Sequence, residues 1–162
     1  MANTIKTFSG INFNLDEFNP DEVVIEDIAH ALSLSTRYGG HCRRLYSIAQ
    51  HSVWCSIQEG RYPMHRLMHD AAEAYMGDIV TPLKVQLPNY REKEDKLMDI
   101  IYKKFCPVVF NEMLMNSEVK MVDRMALTYE QSFLWDDVKC SQLCWSTEKS
   151  EYEFLKMFEN LI

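Results

Sequence analysis

From Val24 onward the apolar residues recur at helical spacing, and this periodicity confines the fold more than any other feature of the chain. Val24, Ile25, Ile28, Ala29 and Leu32 line one face of a helix that follows Asn19-Pro20 and stops at Gly39-Gly40. The same period predicts helices near 45–58, 64–76, 89–105, 117–134 and 149–160, separated by Gly60, by residues 77–88 and by Pro107. Met64, Met68, Met121, Met125 and Phe133 read as core. Only the N-terminus departs from the pattern: residues 4–8 and 11–15 alternate in character around Ser9-Gly10, a two-residue hairpin signal. The expected fold is all-α, a helical bundle with a small N-terminal β-hairpin. No repeat, low-complexity tract or linker divides it, and 162 residues at 47% hydrophobic content can bury one core, so 1–162 reads as a single domain.

One pair is out of place in the 64–76 helix. His69-Asp70 follows Leu67-Met68 and precedes Ala71-Ala72, yet carboxylates and imidazoles are seldom fully buried unless paired or bound to metal. A divalent cation removes the cost, but a catalytic centre takes at least three protein ligands and keeps a position open. His51 sits on the preceding predicted helix, so two antiparallel helices can turn it toward His69 and Asp70. Asp123, among Val119, Val122 and Ala126 on a later helix, completes a His, His, Asp, Asp set. Taken singly, His51 reads as a satisfied half-buried histidine and Asp123 as a solvated or salt-bridged acid; together they read as ligands. Glu73 lies four residues after His69 and three after Asp70, on their face. There it can orient a metal-bound water or accept its proton.

Charge and cysteine content narrow the function classes. A net charge of −7 and a pI near 5.2 argue against nucleic acid as a partner, which normally calls for a basic face, so an anionic substrate needs locally placed Arg and Lys. Five cysteines with no CxxC pair and no signal peptide argue against a disulfide framework and for a reducing cytoplasm. Cys140 and Cys144 lie four apart but lack a nearby His to make a zinc site. No apolar run approaches the roughly 20 residues that span a bilayer, so a soluble protein with no membrane partner is expected.

The order of motifs resembles the HD-domain metal-dependent phosphohydrolases: QHS at 50–52, HDAAEAYMGDIVTPLK at 69–84, and an Asp at 123 in a later helix. It is most similar to the small bacterial and prophage 5′-deoxynucleotidases, sharing IKTFSG, DIAHALS, an R-aromatic-x-G-H turn and YSxAQHS, and it also resembles phage enzymes that hydrolyse dATP. The resemblance covers roughly residues 4–134. It implies an HD-domain bundle with one divalent transition metal, Co, Mn or Zn with Mg also allowed, held by His51, His69, Asp70 and Asp123. It implies Glu73 and Asp78 as the acid/base and substrate-orienting carboxylates. Arg37-Tyr38 match the family's Arg-aromatic pair, Arg37 as a bidentate fork for phosphate and Tyr38 packing on sugar or base to select against a 2′-OH, with Lys84 holding another phosphate oxygen. Self-association as a dimer or hexamer is implied too. Weaker pocket candidates are His41, which touches phosphate or caps the following helix, and Arg43, Arg44 and Lys120, which are phosphate contacts or surface charges.

The reaction expected is hydrolysis of phosphate from 2′-deoxynucleotides, dAMP or dATP among them, with a metal-bound water as nucleophile, because no Ser, Cys or Asp stands out with its own base. A dedicated dATP or dNTP triphosphohydrolase is the alternative within the class. A non-catalytic nucleotide-binding module is a second, against which stands the full set of His51, His69, Asp70, Glu73 and Asp123. Hydrolysis of a signalling nucleotide is a third, for which the chain is short.

Overall fold

A computed structural model describes residues 3–162 and is mostly helical, with one small antiparallel hairpin. Strands β1 (Thr4–Lys6) and β2 (Asn12–Asn14) pair with Ile5 opposite Phe13. The turn between them is longer than the two-residue one expected at Ser9-Gly10. Thr7 N–H donates to Ile11 O at 2.8 Å, and Ser9 reaches away to the buried Asp27 carboxylate through its N–H (2.6 Å) and hydroxyl (2.8 Å). Those two bonds fasten the hairpin to the first helix, α1 (Ile25–Leu34).

Helix α1 ends at Leu34 rather than running on toward Gly39. The Ser35 hydroxyl turns back onto Ala31 O (2.9 Å), and Thr36 leaves in an extended bridge with Ser47. Ser47 caps α2 (Ile48–Ser56), its side chain accepting from Gln50 N. The predicted helix 64–76 is broken into α3 (Pro63–Met68) and α4 (Glu73–Met76). Between them the amides of Ala71 and Glu73 bond three residues back, to Met68 O and Asp70 O. The His69 imidazole donates from Nδ1 to Arg66 O at 2.7 Å, taking the carbonyl that the helical amide of Asp70 would otherwise use. His69-Asp70 therefore lies at a helix end, not inside one.

The predicted 77–88 spacer contains a one-turn helix, α5 (Thr81–Lys84), and α6 spans Pro88–Phe105. Helix α7 (Glu112–Gln131) starts five residues before the expected 117 because the Asn111 side chain caps Leu114 N. Met121 and Met125, expected in the core, lie exposed on its outer face. The sequence pattern gave no helix over 135–148, where Asp136 caps α8 (Asp137–Leu143); α9 (Thr147–Leu161) closes the chain. Among the described residues no helix is long and apolar enough to cross a membrane, and all five cysteines are free.

Helix α2 is the axis of the bundle, packed by α1, α3, α7 and α9 and buried at every position except Trp54. Its C-terminal carbonyls meet a buried guanidinium: Arg66 donates from Nε to Cys55 O (2.9 Å) and from Nη2 to Gln58 O (2.6 Å), while Nη1 pairs with Glu118 of α7. Glu118 also accepts from the amides of Arg61 and Tyr62 at 3.0 Å each. One ion pair thus joins α2, α3 and α7. Arg66→Met is expected to lower unfolding free energy by about 3–5 kcal/mol, since it removes the counter-ion of Glu118 and leaves the carbonyls of Cys55, Ser56 and Gln58 without their donor; urea denaturation of the two proteins measures the difference.

Candidate metal centre

Three helices bring polar atoms to one point beside α2. His51 enters from the middle of α2, His69 and Asp70 from the tight turns after α3, and Asp123 from α7. His51 Nε2 lies 3.2 Å from His69 Nε2, 3.5 Å from Asp70 Oδ2 and 3.4 Å from Asp123 Oδ1. His69 Nε2 lies 3.2 Å from Asp70 Oδ2 and 3.9 Å from Asp123 Oδ1. Such spacing suits donors held at about 2.0–2.2 Å from a shared ion.

The protons sit on the far side of both rings. A carbonyl can only accept, so the contact to Arg66 O fixes the hydrogen of His69 on Nδ1. His51 Nδ1 likewise donates to the fully buried carboxylate of Glu130, at 2.6 Å. In the neutral rings both Nε2 lone pairs then face each other and two carboxylate oxygens, and Asp70 Oδ2, itself buried, has no hydrogen-bond partner. Four electron-rich atoms facing one another call for a positive charge among them, a proton or a cation. Burial opposes an imidazolium, yet Asp70 and Asp123 lift His69 to about 9, and His51 is raised as well. The Asp70 and Asp123 carboxyls are held low against burial by the facing histidines. The donor set fits a divalent transition metal. Cys55, one turn after His51, adds a thiol: His51, Cys55 and His69 offer ligand atoms within 4.8 Å of one another.

The remaining predicted residues divide into those beside this cluster and those on its edge. Arg37 is inside: Nη2 donates to Glu130 Oε2 (3.2 Å), Nη1 lies 3.7 Å from Asp70 Oδ2, and Nε is buried without a partner. Tyr38 follows in a left-handed conformation (φ 57°), its hydroxyl donating to Glu130 Oε2 at 2.6 Å and its ring edge-on to Trp135. Glu73 and Lys84 share with His69 and Asp70 a cleft of about 160 Å³. Lys84 Nζ binds Glu73 Oε1 (3.2 Å) and Glu94 Oε1 (2.8 Å), while Glu73 Oε2 is buried and unpartnered. Burial and the charges of Asp70 and Asp78 push Glu73 up to about 8. Asp78 is exposed as a residue, but partial desolvation of its carboxyl, with Asp70 nearby, raises it despite Lys84.

His41 and Lys120 are exposed and make no polar side-chain contact among the described residues. His41 is not the cap of the following helix, because Ser47 is. Arg43 lies on the surface with its Nε 3.9 Å from Asp137. Two larger clefts, about 580 and 520 Å³, flank the 107–110 loop and contain none of the predicted site residues. Sequence reasoning did not single out Cys55 or Glu130. The signal present was spacing alone, four residues after His51 and seven after Asp123, each on the same helical face as the candidate ligand before it.

The HD domain pattern matches residues 45–131, from the approach to α2 to the end of α7. Over 129 residues the chain is 43% identical to the uncharacterized protein YfdR of Escherichia coli K12, covering 78% of this chain and 70% of YfdR. It is 32% identical over 111 residues to the uncharacterized protein RCAP_rcc00048 of Rhodobacter capsulatus, covering 62% of this chain and 57% of that protein. With the half-buried His-Asp pair at the meeting point of three helices and the pattern spanning all of them, the chain belongs to the HD-domain family, whose members are generally metal-dependent hydrolases.

Proposed function

We propose that the protein hydrolyses phosphate from 2′-deoxynucleotides in a metal-dependent reaction of the 5′-deoxynucleotidase type, with dAMP or dATP among its substrates. The observation that carries this reading is the convergence of His51 Nε2, His69 Nε2, Asp70 Oδ2 and Asp123 Oδ1 with the Arg37 guanidinium laid against them. Those four side chains hold the ion. When bound, it supplies Lewis acidity, lowering the pKa of a coordinated water and offsetting phosphate charge.

Glu73 is the base. Lys84 fixes its Oε1 and leaves Oε2 unpartnered beside His69 and Asp70; with the carboxyl raised to about 8, its ionised fraction is the base, and that fraction grows as pH rises toward 8. Lys84 is engaged by two carboxylates and orients the base more directly than it can meet a phosphate. The phosphate charge falls to Arg37, whose guanidinium lies against Asp70 and Asp123 at the cluster itself. The Tyr38 hydroxyl is engaged by Glu130, so its ring supplies the contact to the sugar, a packing surface with no partner for a 2′-OH. Asp78, close enough to Asp70 and Lys84 to feel their charges, orients substrate.

Chelation should abolish turnover of dAMP and dATP, and Mn²⁺ or Co²⁺ should restore it; chromatography of the products separates orthophosphate, pyrophosphate and triphosphate and so identifies the bond cut. Metal-loaded protein that leaves every deoxynucleotide intact sinks the proposal. Asp123→Ala and His69→Ala are expected to lose bound metal by elemental analysis and activity together. Glu73→Gln is expected to keep its metal while kcat falls by about 10²–10⁴; unchanged kcat removes Glu73 from the base role.

A further inference from the structure

Glu130 is fully buried on α7, and its two carboxylate oxygens serve different partners. Oε1 accepts from His51 Nδ1 at 2.6 Å; Oε2 accepts from the Tyr38 hydroxyl at 2.6 Å and from Arg37 Nη2 at 3.2 Å. Buried carboxylates persist only when paired, and here the donors come from two separate elements, α2 and the 37–40 turn. On one side the bond keeps the His51 hydrogen on Nδ1 and its Nε2 lone pair toward Asp70 and Asp123, and it raises the basicity of that nitrogen. On the other side it restrains a bulky residue in a left-handed conformation, φ 57°, that such residues rarely adopt.

We propose that Glu130 is a positioning residue that ties the metal ligand to the substrate clamp, so that one carboxylate sets both metal affinity and substrate binding. The clamp half rests on the reading of Arg37-Tyr38 as the nucleotide contact. The metal half does not.

Glutamine at 130 tests the tie without changing shape. Its amide has one acceptor oxygen, so in either orientation an NH₂ group opposes donors: Arg37 and Tyr38 in one, His51 Nδ1–H in the other. In the full-length protein, Glu130→Gln is expected to weaken Co²⁺ affinity by about 10–100-fold, read by competition with a chromogenic chelator. It should also raise the KM for dAMP. Tyr38→Phe, which removes a donor on the clamp side only, is expected to raise KM and leave Co²⁺ affinity unchanged. If Glu130→Gln alters Co²⁺ affinity or KM alone, the tie is overturned. If it alters neither while the melting temperature falls, Glu130 is structural only. Failure of the wild-type protein to act on any deoxynucleotide defeats the proposed function, and the chelator competition still decides whether Glu130 positions His51.

Discussion

Helix α2 has almost no solvent face, and the rest of the molecule is arranged around that constraint. A helix buried all round cannot leave its polar groups to water; its longer polar side chains find partners in neighbouring elements, Ser56 turns back onto Val53 O, and the Ser52 hydroxyl is buried without a partner. Gln50 reaches the segment between α8 and α9, donating to Leu143 O (2.7 Å) and accepting from Trp145 N (2.9 Å). The last carbonyls find Arg66, and His51 finds Glu130. The contacts that let a polar helix sit at the centre also fix the positions of α3 and α7, and through them the cluster of His51, His69, Asp70 and Asp123.

The cluster holds several positive groups against its carboxylates. Arg37 lies within 4 Å of Asp70, Asp123 and Glu130, and the two imidazoles bind protons more tightly than a free histidine does. The histidine rings are clamped from behind, by Arg66 O and by Glu130, so little rotation is needed to present both Nε2 atoms.

The sequence disclosed the helical class, the hairpin and the His-Asp centre, because each leaves a local mark: a 3.6-residue period, an alternation, a polar pair among apolar neighbours. It disclosed less where tertiary contacts decide. The break after Met68 depends on an imidazole capturing a backbone carbonyl, which the apolar period across 64–76 hides. Helix α8 has seven residues with Cys140 its one buried position, too little pattern to register. Glu130 resembles any acid on a long helix until Arg37, Tyr38 and His51 are seen to meet it. Lys84 could be placed near the site from its motif, but not its engagement by Glu73 and Glu94, which needs α6 in position. Met121 and Met125 fall on a helical stripe whose outward direction no local signal reports.

The contact of α9 with α1 has a consequence for how the chain matures. Phe154 and Phe158 complete the same core that α1 and α2 begin, so the two ends of the described chain are neighbours in space. Synthesis delivers α1 and α2 long before α9. Throughout that interval the apolar face made by Ile28, Leu32, Ile48 and Ala49 lacks its α9 cover, and the helix that carries His51 lacks one of its walls. Folding is therefore vectorial only in part: the nascent bundle has to be kept from aggregating until its last helix closes it.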